Sequence, residues 1–217
     1  MKRRTLDFLF SAGGIALAGL LLVLGLVMTS NANFAKGYVK DQLSEQNITF
    51  PASSALSDEE NQSACLVRYA GQQLTTGKQA ECYANDYIGL HVKSTADGQT
   101  YADLGAPQSE LRAKVAAAQG ANDPALADLQ KQLTSITTQR ESLFKGETLR
   151  GLLLTSFGFG VFGDKGAQVA TVAYLVAGLL ALLSIAGLVH AYRTPRGTTF
   201  PAASPVSTPP VGEELVL

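Results

Sequence analysis

The sequence has little of what catalytic sites are usually built from: it contains no tryptophan, two cysteines and two histidines in 217 residues. The two histidines, His91 and His190, lie in stretches that the charge pattern predicts on opposite sides of a membrane, so they cannot share a metal ion or a proton relay. No HExxH, GxSxG, P-loop or strand-following GxGxxG motif is present. We therefore expect no catalytic residue, no metal site, no cofactor and no enzymatic activity.

An excess of charge of one sign is also missing. The chain carries 17 basic and 18 acidic residues, for a net charge of −1. A protein that binds nucleic acid needs a basic stripe to neutralise phosphates, and this balance provides none. We therefore expect no nucleic-acid partner.

What the sequence does have is two long uncharged apolar runs, at residues 9–28 and 167–189. About 20 apolar residues in a helix cross the ~30 Å hydrocarbon core of a bilayer, so both runs are predicted to be transmembrane helices. Neither run has an ionisable residue in its middle, where such residues mark ion and proton paths. A transporter or proton pump is therefore not expected.

Basic residues flank both runs on the same side. Lys2, Arg3 and Arg4 precede the first run, and Arg193 and Arg196 follow the second. Basic flanks stay in the cytoplasm, so the pattern predicts a two-pass cell-membrane protein with both termini cytoplasmic and the central part outside.

A cleaved signal peptide is the alternative for the first run. A signal h-region is usually about 7 to 15 residues long and ends at a small-residue site. Here the run is longer, and the best candidate site, Ser30-Asn31-Ala32, is a poor one. An uncleaved anchor in the lipid bilayer is therefore favoured.

The predicted fold is mainly α, with the two transmembrane helices flanking an extracytoplasmic, all-helical domain that contains a helical hairpin. The predicted order is a cytoplasmic tip at 1–8, transmembrane helix 1 at 9–28, the extracytoplasmic domain at 29–146, an interfacial segment at 147–166, transmembrane helix 2 at 167–189 and a disordered cytoplasmic tail at 190–217. The interfacial segment is apolar but broken by glycines, so we expect a helix end followed by a stretch that rests on the membrane surface. The tail is rich in Pro, Thr and Ser.

The hairpin is predicted from the end of the extracytoplasmic domain. Residues 109–119 are alanine-rich and helical in pattern, and residues 120–124 break that pattern. Apolar residues then follow a heptad-like spacing at Leu126, Leu129, Leu133, Ile136 and Leu143. The two stretches are predicted to form an antiparallel helical hairpin. The stripe packs either on its own partner helix or on another subunit.

Cys65 and Cys82 both fall in the part that the first helix would export. An even number of cysteines in an oxidising compartment favours a disulfide, and closing this loop would stabilise the fold by roughly 3 kcal/mol. The alternative is two unpaired buried thiols. A zinc site is less favoured, because the close CxxC pairing of zinc ligands is absent.

Two groups of residues are the candidate contacts with a partner. Ala173, Ala177 and Ala181 recur every four residues in the second run, a ridge suited to close helix packing in lipid. The second group, Phe157, Phe159 and Phe162, is expected near the headgroups.

Three stretches carry a resemblance to a known family: Asn33–Pro51, Tyr69–Gly77 and Glu141–Phe159. With them the chain resembles, over most of residues 5–192, a family of small actinobacterial two-helix membrane proteins. Members often bear the label of an aromatic ring-opening dioxygenase. Such an enzyme requires a set of His and Glu metal ligands in one pocket. The layout is also similar to that of the prokaryotic respiratory supercomplex association factors.

This resemblance implies a non-catalytic accessory subunit of a larger membrane complex. The implied partners are the cytochrome bcc and aa3 oxidase subunits of the actinobacterial respiratory supercomplex. The alternative is an independent envelope receptor or signalling protein with an extracytoplasmic sensor domain. The short tail, which lacks a recognisable output module, favours the accessory subunit.

Overall fold

The computed structural model describes residues 2–198 and is mainly α-helical, with no strand among those residues. The helices are α1 Arg3–Glu45, α2 Ala64–Tyr69, α3 Gly77–Cys82, α4 Gly89–Thr95, α5 Gly105–Ala121 and α6 Leu126–Arg193. Short 3-10 turns at Ser53–Ala55 and Glu60–Gln62 precede α2, and a π-helical turn at Tyr83–Ile88 joins α3 to α4.

Helices α1 and α6 are long and apolar enough to cross a membrane, and they contain the two predicted spans. The described residues form two compact units. We call residues 2–26 with 170–198 the span unit, and residues Val27–Val169 the central unit.

Both long helices extend beyond their predicted bounds. Helix α6 runs without a break through 147–166, so the helix end expected in that segment was wrong. The glycines there cost helix propensity, but some of them lie at close contacts: a Cβ on Gly160 would stand 3.4 Å from the Gly77 Cα, and one on Gly163 would stand 3.2 Å from the Ala32 carbonyl oxygen. Tertiary packing therefore compensates for the weak propensity.

The predicted tail also begins later than expected. Helix α6 continues to Arg193, so residues 190–193 are helical and not part of a disordered tail. His190 and Arg193 lie in the last turn of α6, where basic side chains complement the helix dipole and favour the helical conformation. Residues 199–217 of that prediction lie outside the described residues.

The central unit has its main core around Phe50, Leu66 and Leu74, which are almost completely buried. Val39 and Leu43 of α1 and Leu153 of α6 complete it, so both long helices contribute to this core. It therefore depends on residues more than a hundred positions apart.

Aromatic rings line one side of this core. The Tyr83 ring meets Phe50 edge to face at 5.2 Å between centroids and lies 4.7 Å from Tyr87. Burial raises the pKa of the Tyr83 phenol, and the neighbouring Tyr87 adds to the rise. The phenol therefore stays neutral over the physiological range.

A disulfide joins Cys65 of α2 to Cys82 of α3, as the sequence predicted. The ends of the joined helices are capped by nearby side chains. The Leu66 amide donates to Ser63 Oγ at the start of α2, and Thr76 with Gln79 forms a reciprocal capping box at the start of α3. These short helices are thus held by caps and a covalent link as well as by burial.

A second apolar cluster lies where α5 meets the first part of α6 and contains Leu104, Ile136 and Leu143. Beside it, Gln108 Nε2 donates to Thr137 Oγ1 at 2.8 Å. Ile136 and Leu143 belong to the predicted apolar stripe, and both are buried in this cluster.

Replacing Leu66 by Ala should lower the free energy of unfolding by about 2–5 kcal/mol, because the side chain is fully buried and its removal leaves a cavity. Val67, the next residue of α2, is 48% exposed, so Val67→Ala should cost about 0.5 kcal/mol or less. Urea unfolding of the detergent-purified protein, followed by near-UV circular dichroism of the tyrosines, measures both. Equal shifts of the two midpoints would show that this core is misplaced.

Candidate partner-binding surface

The predicted alanine ridge lies inside the chain. Ala173 and Ala177 are 5% and 4% exposed within the span unit, and Ala181 is half-buried. Small side chains allow two helix backbones to approach closely, and the chain uses them for its own helix pair. Ala173 and Ala177 are therefore buried within this chain, and their contact with a partner stays a prediction.

Small residues of α1 and α6 face one another through the span unit. A Cβ placed on Gly14 would collide with Ser184 Oγ, and one on Gly187 would collide with Ser11 Oγ. Gly25 lies under the ring of Tyr174, whose Cε1 would be 2.5 Å from an added Cβ. The contacts run in opposite chain directions, so this part of α1 is antiparallel to this part of α6.

The three predicted phenylalanines do not form one cluster. Phe157 is half-buried, with the Lys78 Nζ 4.7 Å above the centre of its ring. Phe159 is exposed and its ring centroid lies 6.5 Å from that of Tyr38, whereas Phe162 is exposed on its own. Only Phe159 is therefore part of an extended apolar surface.

That surface, which we call the outer apolar patch, consists of Phe34, Tyr38, Leu152 and Phe159. Their exposed fractions are 69%, 50%, 63% and 47%. The Phe34 and Tyr38 rings stack at 5.9 Å. Tyr38, Leu152 and Phe159 line one groove of about 390 Å³ between α1 and α6. The patch lies entirely within the central unit.

Part of this patch has a signal in the sequence. Phe34 and Tyr38 are four residues apart in α1, and Leu152 and Phe159 are seven apart in α6, which places each pair on one helix face. The pattern did not reveal that the two faces adjoin, because that depends on the register of the two helices.

The part of the patch on α6 lies away from the first charges next to the uncharged runs. Lys36 of α1 pairs with Asp164 of α6 at 2.8 Å. Lys36 is the first charged residue after the first run, and Lys165 and Asp164 are the first two before the second run. Along α6, Phe159 lies about 8 Å and Leu152 about 18 Å from Asp164, toward the core of the central unit. The apolar patch thus continues well past the charged level.

The described residues bring no catalytic constellation together. Asp86 Oδ2 lies 3.0 Å from Cys65 Sγ and accepts a hydrogen bond from Ser63 Oγ. Because Cys65 is bonded to Cys82, neither sulfur is available as a thiolate ligand. The exposed His91 ring lies with Nε2 3.8 Å from Glu60 and Nδ1 2.8 Å from the Tyr87 carbonyl oxygen.

Comparisons of the chain with protein-family models, with curated proteins and with solved structures give no match.

Replacing Gly14 by Leu should weaken the pairing of the two spans, because the new side chain would occupy the position of Ser184. The neighbouring Gly13 has open space around it, so Gly13→Leu adds the same side chain without a collision. We expect a clear drop of the thermal unfolding midpoint in detergent for the Gly14 variant and little change for the Gly13 variant. If both variants unfold at the same temperature, the described register of the two spans is wrong.

Proposed function

We propose that this protein is a non-catalytic accessory subunit that attaches to a larger membrane complex through the outer apolar patch. The observation that carries the proposal is a patch of large exposed apolar side chains, two of which, Leu152 and Phe159, lie beyond the level of the first charges. Exposed apolar patches of this kind mark protein or membrane contacts. Four large side chains on two adjacent helices offer a continuous contact surface.

The proposed topology keeps both termini in the cytoplasm and the central unit outside. The basic residues at the two ends of the chain support it, since short basic flanks stay on the cytoplasmic side. The disulfide agrees with this location, because disulfides persist in oxidising compartments and are rare in the cytosol.

The position of the patch favours a protein over lipid as its occupant. The headgroup region adds only about 5–8 Å to each side of the hydrocarbon core. Leu152 lies about 18 Å along α6 from Asp164. If the Lys36–Asp164 pair lies at the headgroups, this end of the patch is beyond the reach of lipid chains. A protein partner that projects from the membrane would cover it.

Helix α5 and the first part of α6 are proposed to form the antiparallel hairpin predicted from the sequence. The contact of Gln108 with Thr137 supports it, as does Arg140, which lies 4.0 Å over the Tyr101 ring. Arg140 also donates to the Gln108 side chain. These polar side chains contact one another within the chain, so we assign the hairpin a structural role.

The identity of the partner rests on the family resemblance of Asn33–Pro51 and Glu141–Phe159. It implies the cytochrome bcc and aa3 oxidase subunits of the actinobacterial respiratory supercomplex. Phe34, Tyr38, Leu152 and Phe159 all lie inside these stretches. The segments that carry the resemblance are thus also those that carry the patch.

The test is purification of the tagged protein from its native membranes in mild detergent, with absorbance spectra and mass spectrometry of what accompanies it. We expect haem absorbance and the bcc and aa3 subunits at near-equal stoichiometry. A bare monomer or homodimer without haem would contradict the respiratory assignment.

The double substitution Leu152→Ser with Phe159→Ser should lower the yield of the co-purified complex at least tenfold, because it removes the centre of an apolar contact. Phe144→Ser is the matched control: Phe144 is also exposed on α6 but lies about 22 Å along the helix from Phe159. Both proteins should insert in the membrane at wild-type levels. Equal loss of the complex in the two variants would contradict the patch as the contact surface.

A further inference from the structure

A second groove lies in the central unit, separate from the groove of the outer apolar patch. It has a volume of about 440 Å³ and is formed by α1, the segment Thr75–Lys78 and α6. Its apolar lining includes Val39, Phe157 and Val161. The proposed accessory function makes no use of it.

The groove is built by a close approach of backbones. Gly77 lies against α6, where an added Cβ would stand 3.2 Å from the Phe157 Cα and 3.4 Å from the Gly160 Cα. The side-chain oxygen of the buried Gln79 accepts from the Thr75 and Thr76 amides at 2.9 and 3.0 Å. This segment is therefore firmly positioned, and with it the backbone of Lys78.

The charged lining is predominantly basic: Lys36, Lys40 and Lys78 face one carboxylate, Asp164. Asp164 pairs with Lys36 at 2.8 Å, and Lys78 is 3.0 Å from Glu81, which is not part of the lining. Among residues 2–198, Lys40 forms no ion pair. Three lysines against one aspartate leave the lining with a net charge of +2.

The position of the groove along the helices indicates which ligand its lysines and apolar side chains would bind. Lys36 is the first charged residue after the first uncharged run, and Lys165 and Asp164 are the first two before the second run, so in a membrane they lie where hydrocarbon gives way to headgroups. A ligand at this level contacts the lysines of the groove and the apolar lining next to them. A free anion would use the cations alone, whereas an anionic lipid would use both.

We propose that this groove binds an anionic phospholipid, with the phosphate between Lys40 and Lys78 and an acyl chain along Val39, Phe157 and Val161. The Lys78 ammonium, held over the Phe157 ring at 4.7 Å, joins the charged and apolar parts of the site. Anionic headgroups are attracted to lysines near the membrane surface, and the channel supplies apolar burial for the chain.

The test is native mass spectrometry of the purified full chain in detergent, titrated with phosphatidylglycerol or with phosphatidylcholine of the same acyl composition. We expect tighter binding of phosphatidylglycerol. The double variant Lys40→Gln with Lys78→Gln should lose about fivefold in affinity per lysine. The variant Lys40→Arg with Lys78→Arg, which keeps both charges, should retain binding.

The matched control is Lys114→Gln with Lys131→Gln, which removes two exposed lysines outside the groove. This control should bind phosphatidylglycerol as the wild type does. Equal affinity for the two lipids, or equal loss in both double Gln variants, would overturn the proposal. Displacement of the lipid by glycerol phosphate at the same concentration would do so too, since it would reveal a site for the free anion. The assay uses no partner complex, so its outcome is independent of the proposed accessory function.

Discussion

The structure depends on the close approach of two long helices, α1 and α6. In the span unit, Gly14 and Gly187 lie where any side chain would meet a serine of the opposite helix. In the central unit, a Cβ on Gly163 would stand 3.2 Å from the Ala32 carbonyl oxygen. In a bilayer, lipid chains are as apolar as the helices, so van der Waals packing between small residues of the span unit, and not water exclusion, would pair the two helices there. The grooves in the central unit exist because α1 and α6 are held together in this way.

The packing of α1 on α6 determines which side chains remain exposed for a partner. The small face of the second span, with Ala173 and Ala177, is buried against the chain itself. The side chains left exposed on that helix are large, such as Leu175 and Leu182. In a bilayer, large side chains facing outward need no partner, because lipid covers them equally well. Selective binding to a protein is therefore better supported by exposed apolar residues beyond the lipid, and the Leu152 end of the outer apolar patch has this property.

Much of the architecture could be predicted from composition and spacing, because charge-free runs and paired cysteines each have one common structural use. The two apolar helices and the Cys65–Cys82 disulfide are of this kind. The path of α6 through 147–166 could not be predicted, because glycines in a sequence indicate helix breaks, whereas Gly160 and Gly163 are favoured by the packing of Gly77 and Ala32 on them. The alanine ridge was predicted to contact a partner from its four-residue spacing alone. Spacing shows that a face is small, but the facing helix decides whether it is buried.

The two grooves of the central unit lie on opposite sides of the same helix. Lys36 and Lys40 each lie two residues from Tyr38, a rotation of about 200° around α1. Val39 lies between them in sequence and lines both grooves. A protein bound at the outer apolar patch would therefore leave the basic groove uncovered. The chain could then hold a lipid on one side while it contacts a partner on the other, so the two proposed interactions are compatible on one molecule.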